Sequence, residues 1–105
     1  MNHRANRQRV SSAHLDFNPS IVKRLTPSDA ELPADPERRK TLIHAVRVAW
    51  NTMLTEMQRI YMHEYYSNRK TMQHIAEEYG VTRGTVSRTL SRARCHLRRV
   101  LQCYL

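Results

Sequence analysis

Apolar residues recur at helical spacing from residue 36 onward, and no useful length of chain alternates apolar and polar positions as a strand would. A first helix is predicted to begin at Pro36, because Asp35 is a good N-cap residue and Glu37 complements the positive end of the helix dipole. Trp50 is predicted to be a core residue of this helix. The predicted buried face contains Leu42, Ile43, Val46, Ala49, Trp50 and Met53.

A second helix is predicted from a capping box formed by Thr55 and Gln58, in which each side chain bonds to the backbone N–H of the other residue. This helix is predicted to end near Tyr66. The polar segment 67–70 then interrupts the apolar pattern, so a short connection is expected there. The second helix carries Met57, Ile60, Tyr61, Glu64 and Tyr65 at helical spacing.

Two more helices are predicted on either side of a glycine. Thr71 is expected to cap a short third helix, and Gly80 supplies the backbone freedom for the turn after it. Thr82 is expected to cap a fourth helix that continues to about Cys103. The third helix is predicted to bury Met72, Ile75, Ala76 and Tyr79, and the fourth to bury Val86, Leu90, Ala93, Leu97, Val100, Leu101 and Tyr104.

Residues 1–35 show no sustained period and are predicted to form an irregular, partly disordered N-terminal arm. One short docking turn is conceivable at Ile21, Val22 and Leu25, but a solvated tail is favoured. Contact of the basic tip with a phosphate backbone is a further alternative, and the tip contains Arg4, Arg7 and Arg9. The predicted fold is therefore all-α, with this arm followed by a small four-helix domain of residues 36–105.

The net charge of the chain limits the classes of partner that it is expected to bind. Its 105 residues carry a formal net charge of +9, and residues 36–105 hold thirteen Lys or Arg against five Asp or Glu. Such a balance favours a polyanion, either nucleic acid or an acidic membrane surface. The last helix lacks a broad Leu, Phe or Trp face, so no membrane partner is predicted. No apolar run approaches the roughly 18 residues of a membrane span, and no secretory signal is seen, which predicts a cytoplasmic protein.

The sequence offers little chemistry besides binding. Six histidines and two cysteines form no Cys-x-x-Cys or His-x-x-x-His pair, so neither a metal nor another cofactor is predicted. Cys95 and Cys103 lie about 12 Å apart along one predicted helix at ~1.5 Å per residue, which favours two reduced thiols. Glu77 and Glu78 are adjacent and cannot share a helix face, and no nucleophile has a visible base partner. No catalytic residue is therefore proposed.

The third and fourth helices meet the demands of a helix-turn-helix. Ala76 is small where a second helix would cross the first, and Gly80 follows four positions later. From residue 81 to residue 105 there are six arginines and no acidic residue, so the second helix of the motif suits a polyanion. We predict base contacts in the major groove from Arg83, Gly84, Ser87 and Arg88, and phosphate contacts from Arg69, Lys70, Thr71, Thr82, Thr85, Ser91 and Arg92.

Four segments of this region follow one known pattern. They are Leu54-Thr55-x-x-Gln58-Arg59, Ile75-Ala76-x-x-Tyr79-Gly80-Val81-Thr82, Thr85-Val86 and Arg92-Ala93-x-x-x-Leu97-Arg98. With them, residues 54–99 resemble region 4 of the sigma-70 family of bacterial RNA polymerase sigma factors. The resemblance implies recognition of a promoter −35 element in double-stranded DNA. It also implies that an outer surface touches the polymerase β-flap or an activator.

The chain departs from that family at three places. His74 stands where the family usually has Glu, which removes one bond of a capping box at Thr71. The family's glycine before the third helix is replaced by Asn68 or Arg69. Nothing upstream resembles region 2, which grips core polymerase, so help from a second sigma-like subunit is expected. In lacking region 2, the chain resembles the small region 4-like proteins of phages and mobile elements.

Two other functions stay open at this point. One is a phage DNA-packaging subunit similar to a small terminase, which would use the same motif to hold DNA within a ring. Only residues 97–105 are available for the oligomerisation that a ring needs, so a monomer or dimer is expected instead. The other is a polymerase-binding adaptor that makes little DNA contact. Single-strand stacking is a weaker alternative, because helical spacing favours a core role for Tyr61, Met62, Tyr65 and Tyr66.

Overall fold

A computed structural model of the protein describes residues 17–105, and the basic tip with Arg4, Arg7 and Arg9 lies outside the described residues. Every regular element within residues 17–105 is helical, which confirms the all-α prediction. The helices are α1 (Ser20–Leu25), α2 (Pro36–Met53), α3 (Glu56–Met62), α4 (Met72–Tyr79) and α5 (Arg83–Gln102), and the π-helical turn His63–Ser67 continues α3.

Helix α1 lies in the stretch that the sequence predicted as irregular. Asn18 Oδ1 accepts hydrogen bonds from the backbone N–H of Ser20 at 3.0 Å and from its hydroxyl at 2.9 Å, and these bonds fix the start of the helix. The structure therefore places a buried helical turn where a solvated tail was favoured. The apolar residues of this stretch, Phe17, Ile21, Val22 and Leu25, are all buried.

The described residues form two compact units. The central unit comprises Thr55–Ala93, which includes α3, the π turn, α4 and the first part of α5. The terminal unit comprises Phe17–Leu54 and Arg94–Leu105, which includes α1, α2 and the last part of α5. Helix α5 thus contributes residues to both units.

The terminal unit has an aromatic centre. Trp50 is only 1% exposed, and its ring meets the ring of Phe17 edge-on with the centroids 5.7 Å apart. Arg98, from α5, donates a hydrogen bond from Nε to the carbonyl oxygen of Leu25 at 3.2 Å. This bond supplies a partner for one of the carbonyls that the C-terminal end of α1 leaves unpaired. The predicted role of Trp50 in the core is confirmed.

Two residues of the predicted apolar faces lie at the surface instead. Met53 is 44% exposed and Tyr104 is 36% exposed, so the prediction that they are buried is wrong. Met53 is the last residue of α2 and Tyr104 lies beyond the end of α5. Helical periodicity predicts burial only while the helix continues, and α2 ends at Met53 and α5 ends before Tyr104. In the remaining stripe of α5, Val86, Leu90, Ala93, Leu97 and Leu101 are each at most 1% exposed. Three other residues predicted to be buried are only half-buried, namely Ile43, Met72 and Val100.

The caps predicted for α3 and α4 are present. Gln58 donates its backbone N–H to Thr55 Oγ1 at 3.1 Å, and Gln58 Oε1 accepts the backbone N–H of Thr55 at 2.9 Å, so the capping box is complete. Thr71 Oγ1 accepts the backbone N–H of His74 at 3.0 Å. At the start of α2, Asp35 occupies the N-cap position but its side chain makes no capping hydrogen bond.

The helix predicted to run to Tyr66 changes its winding before it ends. After Met62 the backbone widens into the π turn, in which the N–H of Asn68 donates to the carbonyl of His63 at 3.1 Å. The N–H of Lys70 then donates to the carbonyl of Glu64, also at 3.1 Å. These two bonds draw residues 68–70 back onto the π turn and bring the chain to the start of α4.

Candidate nucleic-acid interface

The turn between α4 and α5 closes through Gly80. Its φ of 68° lies in the left-handed region, which glycine adopts without the steric penalty of a Cβ. The backbone N–H groups of Gly80 and Val81 both donate to the carbonyl of Ala76, the second at 3.0 Å. This pairing ends α4 at once, and α5 begins at Arg83. The predicted helix-turn-helix connection is therefore present, with Ala76 only 2% exposed.

The first turn of α5 presents backbone donors. Thr82 Oγ1 accepts the backbone N–H of Thr85 at 3.1 Å, and the two hydroxyl groups are 2.9 Å apart. The N–H groups of Arg83 and Gly84 have no acceptor within the helix, because a helix leaves its first donors unpaired. No acidic residue lies in this turn. Such a helix end attracts anions through its unpaired N–H groups and the positive pole of the helix dipole.

Arg88 directs its charge to the same end of α5. Its Nη1 atom lies 3.2 Å from the point that a Cβ on Gly84 would occupy, so the guanidinium lies over the first turn. Helical side chains lean toward the N-terminus, which explains how a group from the second turn reaches the first. Arg83 and Arg88 are both exposed. Two guanidinium groups are therefore available at the leading end of the helix.

The other predicted contact residues fall into two groups by position. One group follows α5 on the sides away from its buried stripe, and the other lies just before α4. In the α5 group, three residues are half-buried, namely Gly84, Thr85 and Ser87, and two are exposed, namely Ser91 and Arg92. Thr82, which directly precedes α5, is also exposed. The second group contains Arg69 and Thr71, which are exposed, and Lys70, which is half-buried.

Arg69 has the backbone conformation for which a glycine would be expected. Its φ is 56°, and among residues 17–105 it is the one non-glycine residue with positive φ. A positive φ at this position is the conformation that glycine adopts most readily. A left-handed conformation costs a residue with a Cβ about 1–2 kcal/mol. The turn is held in place by the bonds of its neighbours.

Replacing Arg69 by glycine is expected to raise the free energy of unfolding by about 0.5–1 kcal/mol. Relief of a strain of about 1–2 kcal/mol exceeds the entropy that glycine adds to the unfolded chain, about 0.5–1 kcal/mol. Urea unfolding followed by circular dichroism measures the change. The matched variant Arg69→Ala removes the same charge and keeps the strain, so it should gain nothing. An equal gain in both variants would assign the effect to charge instead of backbone strain.

Lys70 is engaged inside the protein. Its Nζ atom lies 3.1 Å from Glu64 Oε1 and 2.7 Å from Glu78 Oε1. Because two carboxylates hold this ammonium group, the geometry favours an intramolecular role for Lys70 over the phosphate contact predicted for it. Sequence reasoning gave Glu64 no role, although it is 2% exposed. Its one visible signal was an acidic residue at helical spacing among the apolar residues Met57, Ile60 and Tyr61.

The carboxylate of Glu64 is stabilised in its charged form. Burial alone raises its pKa, but hydrogen bonds from Tyr79 at 2.6 Å, from Asn68 at 2.7 Å and from the charged Lys70 outweigh burial, so the pKa lies below its ordinary value. Burial and the bond to Glu64 raise the pKa of Tyr79, which stays a neutral donor. Burial lowers the pKa of Lys70, but its bonds to Glu78 and Glu64 outweigh this effect and the pKa is raised.

The stability of the protein is expected to fall on acidification partly through Glu64. Its folded pKa lies below the unfolded value of about 4.3, so its contribution is complete above that pH and is lost as pH falls through the folded pKa. The variant Glu64→Gln has no carboxylate to titrate. Urea unfolding should therefore show a gap in the free energy of unfolding between the two proteins that is wide near neutral pH and narrows as the pH falls below the unfolded pKa of about 4.3. A gap that does not change with pH would show that ionisation of Glu64 does not stabilise the fold.

Residues 17–105 contain neither a metal-binding cluster nor a membrane-spanning helix. No group of three or more His, Cys, Asp or Glu side chains is placed to hold a metal ion there. None of the helices in the described part of the chain has the length and apolar character that crossing a membrane requires. Cys95 and Cys103 are exposed and free.

Comparison with known proteins bears directly on the helix-turn-helix. The sequence model of a family described as "Putative helix-turn-helix protein, YlxM / p13 like" matches residues 37–102. This match runs from the first turn of α2 to the last residue of α5 and covers more than half of the chain. No curated protein and no solved structure gives a match. The chain therefore belongs to the YlxM / p13-like family of helix-turn-helix proteins.

Proposed function

We propose that the protein is a sequence-specific, double-stranded DNA-binding transcription regulator. The observation that carries this proposal is the leading end of α5, where the exposed Arg83 and Arg88 stand beside unpaired backbone N–H groups and no acidic residue is present. Membership of a helix-turn-helix family supports DNA as the partner. The arginine-rich composition of residues 81–105 supports a polyanion in general.

In this proposal α5 enters the major groove with its N-terminal turn foremost. Arg83 and Arg88 then face base edges, and arginine pairs best with O6 and N7 of guanine. The residues along the helix and before α4 bind the flanking phosphates and fix the register of the protein on the duplex. They are Arg69, Thr71, Thr82, Ser91 and Arg92, all of which are exposed.

We further propose that the DNA is a promoter element of −35 type and that the bound protein recruits RNA polymerase. The support is the resemblance of residues 54–99 to sigma region 4. The structure forms local features that this resemblance requires, namely the capping box at Thr55, the left-handed Gly80 and the cap at Thr82. Polymerase would contact a surface of the protein that faces away from the DNA.

Selection of duplexes from a randomised pool by the purified full chain tests the first proposal. We expect an enriched sequence that contains guanine at the positions read by the two arginines. The affinity for that sequence should fall steeply with salt, with a logarithmic slope of about −0.9 for each phosphate neutralised. Failure to enrich any sequence would contradict sequence-specific binding.

A pull-down with purified core RNA polymerase, with and without the enriched duplex, tests recruitment. Retention that depends on the duplex supports the proposal. Retention that is unchanged in an Arg83→Ala/Arg88→Ala variant, with no enrichment of any duplex, would favour a polymerase-binding adaptor. Light scattering of the free protein adds a separate check, since a large closed ring would favour a DNA-packaging subunit over a regulator.

A further inference from the structure

The π turn contains a buried acid that the proposed interface does not use. Glu64 is 2% exposed, and the turn that carries it connects α3 to the loop before α4. Such π turns inside helices are frequently found at functional sites. Burying a carboxylate costs free energy unless both of its oxygens have hydrogen-bond or ionic partners. The partners of Glu64 therefore show which segments it joins.

The side-chain partners of Glu64, namely Asn68, Lys70 and Tyr79, lie in or after the loop that leads to α4. Its Oε1 atom accepts the side-chain N–H of Asn68 at 2.7 Å and lies 3.1 Å from the ammonium of Lys70. Its Oε2 atom accepts the hydroxyl of Tyr79 at 2.6 Å. Its backbone carbonyl accepts the N–H of Lys70 at 3.1 Å. Glu64 therefore binds both neighbours of Arg69 and the last residue of α4.

Arg69 is consequently fixed from both sides. Asn68 and Lys70 are both bonded to Glu64, and Arg69 between them has a φ of 56°. This left-handed conformation is unfavourable for arginine on its own, so it persists because the flanking bonds impose it. The same bonds help to position Thr71, the N-cap residue of α4, because Lys70 directly precedes it.

We propose that Glu64 is a positioning residue for DNA binding, which fixes the backbone of Arg69 so that its guanidinium meets a phosphate beside the recognition helix. Glu64 itself does not touch DNA. The inference rests on the proposed DNA-binding function. It adds that the phosphate contact of Arg69 depends on a buried side chain, Glu64. A carboxylate that served only to stabilise the fold would not alter the contribution of one exposed arginine to DNA affinity.

A double-mutant cycle between Glu64 and Arg69 tests the proposal, with DNA affinity measured over a series of salt concentrations. In the wild-type background, Arg69→Ala should reduce the steepness of the salt dependence by about 0.9, the value for one phosphate. In a Glu64→Gln background the same substitution should change neither the slope nor the affinity further. Equal effects of Arg69→Ala in both backgrounds would overturn the proposal.

Glu77→Gln provides the matched control, since it makes the same chemical change at an exposed position of α4 whose carboxylate bonds to Gln73. The cycle between Glu77 and Arg69 should be additive. If Glu64→Gln does not fold well enough to be measured, Tyr79→Phe removes one bond to Glu64 without changing any charge and should shift the cycle in the same direction, but less.

A measurement without DNA separates this inference from the function on which it rests. The backbone coupling constant and chemical shifts of Arg69, measured by NMR, report whether its φ stays positive. We expect the left-handed population of Arg69 to fall in Glu64→Gln and to persist in Glu77→Gln. Persistence in both variants would overturn the positioning role even if the wild-type protein binds DNA. A wild-type protein that binds no DNA would contradict the proposed function itself.

Discussion

Replacing Arg83 and Arg88 together by alanine is expected to abolish the discrimination of the protein between its preferred duplex and an unrelated one. Each arginine that pairs with a guanine contributes about 1–3 kcal/mol of discrimination, so their joint removal should cost about 2–6 kcal/mol in specific affinity. Binding to an unrelated duplex should weaken much less, because the remaining cations still neutralise phosphates. Titration of both duplexes by fluorescence anisotropy measures the two changes.

Two exposed arginines elsewhere give the control for this experiment. Arg38 on α2 and Arg99 near the end of α5 are exposed and lie in the terminal unit. The variant Arg38→Ala/Arg99→Ala removes the same formal charge as the double substitution on the leading end of α5. It should weaken both duplexes by similar factors and leave discrimination intact. If the two double variants behave alike, total charge rather than base contact governs binding.

Replacing Trp50 by alanine is expected to lower the free energy of unfolding by about 3–5 kcal/mol. The side chain is 1% exposed, so truncation leaves a large cavity, and the edge-on contact with Phe17 adds about 0.5–1.5 kcal/mol beyond the buried area. A domain of this size is stable by only about 5–15 kcal/mol, so much of the population should unfold at moderate temperature. Thermal unfolding followed by circular dichroism measures the loss.

Met53 is the matched position for this second experiment. It lies on the same helix one turn later, but it is 44% exposed. Met53→Ala should change the free energy of unfolding by less than about 0.5 kcal/mol, the usual range for surface substitutions. A large loss in this variant would mean that a partner or a second copy covers Met53 in solution.

The sequence predicted best the features that short-range hydrogen bonds determine. The box between Thr55 and Gln58, the cap at Thr71 and the left-handed Gly80 each depend on residues within four positions of one another. Their residue types are selective for these geometries, so a single chain is enough to find them. The four longer helices followed from these caps and from the apolar spacing between them.

Helix α1 could not be predicted in the same way. An isolated helix of six residues does not form in water, because nucleation costs more than so few bonds return. It exists here because its apolar residues are buried and because Arg98 bonds to Leu25, a partner 73 positions earlier in the chain. No local signal reports a contact at that separation. The two prolines that flank α1, Pro19 and Pro27, further obscured it.

The candidate site was predictable in its exposed half only. Helical geometry alone places Arg88 away from the buried stripe of α5, and Arg83 follows a recognisable cap. Helical geometry cannot reveal that Lys70 forms ion pairs with Glu64 and Glu78, because these pairs depend on the tertiary packing of separate segments. For the same reason, the sequence did not show that Arg69, in the turn before α4, adopts a left-handed backbone.

The π turn has a consequence for how this chain is aligned with other helix-turn-helix proteins. A π turn closes over one more residue than an α turn, so it amounts to a single-residue insertion within a helix. Relatives that continue α3 as a regular helix would therefore align with this chain only if a one-residue gap is placed between Met62 and Asn68. Without that gap, the positions of α3 that precede the π turn are offset by one.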